Sequence, residues 1–85
     1  MQVKVDRIRV QMSRRIVVEL CSPPDRERLV AAVLVDGEQW VEINQEQGRL
    51  ELEIYPRRDG SPWSIGCDEA IEALVKARAG LLERS

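Results

Sequence analysis

Histidine, threonine and phenylalanine are absent from this 85-residue sequence. The lack of His excludes Ser-His and Cys-His nucleophilic pairs, imidazole proton shuttles and His-containing metal sites. Cysteine is confined to Cys21 and Cys67, far apart and with no C-x-x-C pair. Neither a disulfide framework nor a zinc site is therefore expected, and both are read as buried thiols. No run approaches the roughly 18 apolar residues of a membrane span. The opening residues Met1, Gln2, Val3, Lys4 and Val5 show no apolar core of a secretory signal. The expectation is a cytoplasmic protein of bacterial type with no membrane contact and no cofactor. Lysine is scarce too: all basic residues but Lys4 and Lys76 are Arg, a skew that codon bias explains as well as phosphate recognition does.

What is present describes a globular chain. Hydrophobic residues make up 44% and charged residues 33%, a balance that excludes disorder and supports one core, so residues 1–85 are read as a single domain. The net charge of −2 conceals a segregation. Residues 1–15 carry Lys4, Arg7, Arg9, Arg14 and Arg15 against Asp6, whereas residues 19–53 carry nine acids against Arg26, Arg28 and Arg49.

Apolar alternation predicts most of the chain as strands. Val3 and Val5 occupy odd positions and Ile8, Val10 and Met12 even ones, so a β-bulge near Asp6-Arg7 is expected within a first strand. Ser13-Arg14 reads as a turn into a second strand with Ile16, Val18 and Leu20 on one face, making a hairpin. Residues 28–35 read as a third strand closed by the Asp36-Gly37 turn, although Ser22 and Pro23 could instead start a helix through Leu29 to Val35. Gln39–Ile43 and Leu50–Tyr55 alternate as two more strands about a turn at Gln45 to Gly48. From Cys67 the spacing turns helical, with Ile71, Leu74, Val75 and Leu81 or Leu82 as the core stripe and Gly80 as an early stop. The expected fold is α+β: an antiparallel sheet of about five strands, a hairpin then a three-stranded meander, with one C-terminal helix on one face.

A two-residue turn at Asp36-Gly37 would set Val33 opposite Trp40, and the next turn would set Glu42 opposite Glu51 and Trp40 opposite Glu53. One face would then hold Val30, Ala32, Leu34, Val41, Ile43, Leu50, Leu52 and Ile54 as the core. The other would hold Val33, Val35, Trp40 and Tyr55 beside Glu38, Glu42, Glu51 and Glu53. This second, aromatic and acidic face is the candidate surface for a protein partner or a second copy of the chain. The alternative is an apolar strip shielded by long Glu and Arg side chains and the 21–28 loop. The Glu42–Glu51 repulsion would be relieved by Arg7, Arg9 or Arg15, or by a partner.

The loop from Tyr55 to Trp63 offers Arg57 and Arg58 near a helix start as a possible anion site; the alternative is a rigid turn in which Trp63 plugs the end of the core. Cys67 lacks an activating neighbour, and the carboxylates form no acid/base pair at diagnostic spacing, so no enzyme is expected. Nucleic-acid binding through the N-terminal Arg residues is disfavoured by the acidic central strands. A small His-free sheet-plus-helix protein with an acidic aromatic face is similar in outline, by shape and charge alone, to immunity proteins that inhibit bacterial toxins. Three readings follow: a non-enzymatic protein-interaction domain, an immunity-type inhibitor of a basic enzyme such as a nuclease, and a weak nucleic-acid binder.

Overall fold

A computed structural model of the chain describes residues 7–84. Five strands, β1 (Arg7–Gln11), β2 (Ile16–Cys21), β3 (Val30–Val35), β4 (Glu38–Asn44) and β5 (Glu51–Ile54), form one antiparallel meander in chain order. The helix α1 (Cys67–Arg84) packs on one face, against β2 and β3. The α+β architecture is thus as expected, and residues 30–35 are strand. The bulge expected at Asp6-Arg7, with Val3, Val5 and Lys4, falls at and beyond the limit of the described residues.

Local chemistry accounts for the turns. Asp36 and Gly37 both take positive φ, 53° and 82°, the pair of angles that matches the twist of a two-residue hairpin and that Asp-Gly adopts readily. Arg15 reinforces this turn, since its Nε and Nη2 donate to Asp36 Oδ2 at 3.1 and 3.0 Å. In the first hairpin, Ser13 Oγ accepts from the backbone N–H groups of Arg15 and Ile16, which is how a serine stabilises a turn.

A bulge beyond Asp36-Gly37 changes the expected faces. Val35 pairs with Glu38 and Leu34 with Gln39, but Val33 then pairs with Val41, leaving Trp40 as the extra residue. A one-residue slip exchanges the two faces of a strand. Ala31, Val33 and Val35 therefore join Val41 and Ile43 beneath the helix, and Val30, Ala32 and Leu34 lie on the opposite face, the reverse of the alternation-based assignment. The β4–β5 register is displaced too, with Glu42 opposite Glu53 and Asn44 opposite Glu51. That shift is two residues, so the faces of β5 are preserved.

The core consists of Ile16, Val18, Leu20, Ala31, Val33, Val35, Val41 and Ile43 from the sheet, with Ala73, Ala77 and Leu81 from α1. The expected helix stripe is split: Leu81 is fully buried and Leu74 packs against the core, whereas Ile71, Val75 and Leu82 are 55%, 49% and 56% exposed. The large β2 and β3 side chains already fill the space between the layers, so the helix fits with Ala against them. Gly80 does not end α1; a Cβ there would lie 3.3 Å from Leu20 Cδ1, and its absence lets the last turns approach β2 closely.

Candidate functional site

The sheet face opposite the helix carries the acids, and the β2–β3 connection closes over it. Arg26, from that connection, places Nη2 2.9 Å from Glu42 Oε2 and 3.1 Å from both carboxylate oxygens of Glu53. Asn44 Nδ2 donates to Glu42 Oε2 and Glu53 Oε2, each at 3.1 Å, and the Tyr55 hydroxyl donates to Glu53 Oε1 at 3.0 Å. Glu46 accepts from the backbone N–H groups of Glu27 and Arg28, which ties the same connection to the β4–β5 turn. Glu42 and Asn44 are buried as a result. The cross-strand repulsion is between Glu42 and Glu53, and Arg26 relieves it. The expected candidates are engaged elsewhere: Arg9 pairs with Glu19 at 2.8 Å and Arg15 with Asp36, while the side chain of Arg7 falls outside the described residues.

This network sets the ionisation of its members. Hydrogen bonds from Tyr55, Asn44 and Arg26 hold the Glu53 carboxyl below its ordinary value, against the opposing effect of desolvation. Desolvation, the hydrogen bond to Glu53 and the charge of Glu42 raise the Tyr55 phenol above its ordinary value. A carboxylate saturated by an Arg, an Asn and a Tyr hydroxyl is a poor proton carrier. Its role is to hold the connection on the sheet.

Of the residues proposed for partner contact, Val33 and Val35 are 0% and 2% exposed beneath α1 and present no surface, because the bulge turns them inward. Trp40 is half-buried and packs against the core, and its carbonyl accepts from Tyr55 N–H at 2.9 Å. Glu42, Glu53 and Tyr55 are brought together in the Arg26 network, and Glu51 pairs with Arg49. Glu38 accepts from the backbone N–H of Arg58 at 2.6 Å and lies 3.9 Å from Arg57 Nε. Arg57 also stacks over Trp63, 5.5 Å from the ring centroid, and lies 4.0 Å from Asp59 Oδ1, so the anions beside it are Glu38 and Asp59. Trp63 packs against the core and its indole N–H donates to Tyr55 O at 2.7 Å, which closes the end of the sheet. Cys67 is exposed rather than buried, and neither cysteine is in a disulfide.

A different surface is open. Leu52 and Ile54 lie on the core face of β5, as expected, yet they are 47% and 64% exposed. Five strands spaced about 4.8 Å apart span roughly 19 Å, whereas a helix is about 10 Å across. With α1 seated over β2 and β3, Val41 and Ile43 of β4 are still buried, and the core face of β5 is left bare. Ile43, Leu50 and Leu52 form a groove there with Leu74, Val75 and Arg78 of the helix. The outer ridge of α1, Ile71, Val75 and Leu82, rises beside it. Leu52 and Val75 share this groove, which Glu51 and Arg78 also line, and Ile54, Ile71 and Leu82 are the further exposed apolar residues of β5 and α1.

The sequence pattern assigns Leu52, Ile54, Ile71 and Val75 to the core and leaves Leu82 as the alternative to Leu81. A second signal was available in the same helix: Ala73, Ala77 and Gly80 recur at helical spacing opposite Ile71, Val75 and Leu82. A helix with a small-residue stripe and a large-residue stripe on opposite sides has two apolar faces, and one sheet uses only one of them. Among the described residues no helix is long and apolar enough to cross a membrane, and no group of three or more His, Cys, Asp or Glu is placed to hold a metal ion. No family model matches the sequence, and no curated protein or solved structure matches it either.

Proposed function

We propose that the chain is a non-enzymatic protein-interaction domain of the cytoplasm, and that its contact surface is the outer ridge of α1 together with the bare core face of β5. The observation that carries this reading is the exposure of Ile71, Val75 and Leu82 at about one half each, while Ala73 and Ala77 of the same helix are fully buried. Exposed apolar surface of a few hundred Å² is often where an interaction site lies. The acidic face is less suited to the task, because Arg26, Asn44 and Tyr55 already satisfy its carboxylates. Nucleic-acid binding is disfavoured on the same kind of ground, since Arg9, Arg15 and Arg57 each face a carboxylate of this chain.

The test is retention of protein on the immobilised chain, from a lysate and from a solution of the chain itself, compared with Val75→Glu. Retention by the original chain that the variant loses, with the variant's circular dichroism unchanged, supports the reading. Equal retention by both would sink it.

A further inference from the structure

We propose that the occupant of this surface is a second copy of the chain, packed so that the outer ridge of each α1 lies on the bare core face of β5 of the other. This rests on the interaction reading above and names its partner. The ridge and the β5 strip meet at the groove that Val75 and Leu52 share and open on the same side of the molecule. A half-turn therefore brings the ridge of one copy onto the β5 strip of its mate and the reverse at once, a closed, isologous pairing. The core face of β5 is left exposed at Leu52 and Ile54 by the chain's own helix; the mate's helix covers it.

The exposed area is of the right size. Leu52, Ile54, Ile71, Val75 and Leu82, each roughly half exposed, leave on the order of 450 Å² of apolar surface per copy. In an interface that is about 57% apolar this corresponds to roughly 800 Å² per partner, the standard size for a specific complex. The groove lined by Leu50, Leu52, Leu74 and Val75 becomes the seam between the two helices.

The arrangement also determines direction. When two sheets face each other across a shared layer of two helices lying side by side, the twofold axis runs along the helices, so α1 and its mate are parallel. Cys67 precedes Leu74 by two helical turns and shares its flank, the flank that borders the groove. The exposed Cys67 then faces Cys67 of the second copy across the axis, at the start of both helices.

Sedimentation equilibrium of the full chain reads the proposal directly. The expected mass is twice that of the chain at concentrations up to about 100 µM. Val75→Glu and Leu52→Lys, each checked for folding by circular dichroism, should both weaken self-association by more than about thirtyfold. An equimolar mixture of the two variants should re-form dimers, because one contact is untouched and the other sets Glu against Lys. Ile54→Lys serves in place of Leu52→Lys if the latter unfolds. A short bismaleimide should join two copies of the original chain through Cys67, and Cys67→Ser should abolish the product. A monomeric original chain overturns the proposal, as does a dimer indifferent to Leu52→Lys and Ile54→Lys, a mixture that stays monomeric, or a dimer that Cys67 does not link. If the monomeric chain still retains another protein in a Val75-dependent way, the interaction reading stands and only self-pairing is lost.

Discussion

The inner and outer stripes of α1 contain residues of opposite size from what maximal burial would select. Ala73 and Ala77 face the sheet, whereas Ile71, Val75 and Leu82 face away from it. Burial of a large aliphatic side chain is worth about 1.5–3 kcal/mol and burial of an Ala methyl much less, so an isolated monomer would gain by rotating the helix half a turn. The sheet prevents this. Ile16, Val18, Leu20, Val33 and Val35 already occupy the gap, and large residues on both sides would drive the layers apart. The β5 edge of the sheet shows the complement of this arrangement, since Leu52 and Ile54 are left exposed there. One helix thus seals β2 and β3 with its small stripe and carries its large stripe for another surface.

Adjacent residues give the sharpest contrast. Leu81→Ala should cost about 2–5 kcal/mol in urea unfolding, as for a fully buried Leu, and Leu82→Ala under about 1 kcal/mol at protein concentrations too low for association. Equal losses would break the assignment of the two stripes. Trp40→Ala should cost about 2–3 kcal/mol, less than a fully buried aromatic, because the indole is half-buried against the core. A negligible loss would return Trp40 to the solvent-facing role expected of it without the bulge. Overpacking offers a subtler comparison: Ala77→Leu should cost about 1–3 kcal/mol, and Ala79→Leu, on an exposed position, should stay within about 0.5 kcal/mol.

The smallest effect concerns the other face of the sheet. Glu53 is held below its ordinary value near 4.5, first by the Tyr55 hydroxyl, so the folded chain binds that proton less tightly than the unfolded chain does. The resulting stability is present above about pH 4.5 and is lost as pH falls through the lower, folded value. Tyr55→Phe should raise the Glu53 pKa, followed by carboxyl NMR titration, and reduce the stability gained between acid and neutral pH. The raised Tyr55 phenol acts in the opposite direction, its contribution present below pH 10 and lost as pH rises through the folded value. An unchanged Glu53 titration in Tyr55→Phe would show that Asn44 and Arg26 suffice.

The identity of the elements was legible in the sequence because it is local. Alternation along Gln39–Ile43 and Leu50–Tyr55, the Asp36-Gly37 turn and the helical spacing after Cys67 each reflect the conformational preferences of a few neighbouring residues. The faces of β5 were legible for the same reason, and survived a two-residue change of register because strand periodicity is two. Three features were decided only in the tertiary structure. The extra residue at Trp40 exchanged the faces of β3, since a bulge depends on how two strands twist against each other and leaves no mark on the alternation of either one. Arg26, in a connection that composition marks only as a break, became the counter-charge of Glu42 and Glu53 because the connection folds back over β4 and β5. The choice between the two stripes of α1 was a matter of volume: both have helical spacing, and only the side chains already standing on β2 and β3 determine that Ala, rather than Ile and Val, fits between the layers.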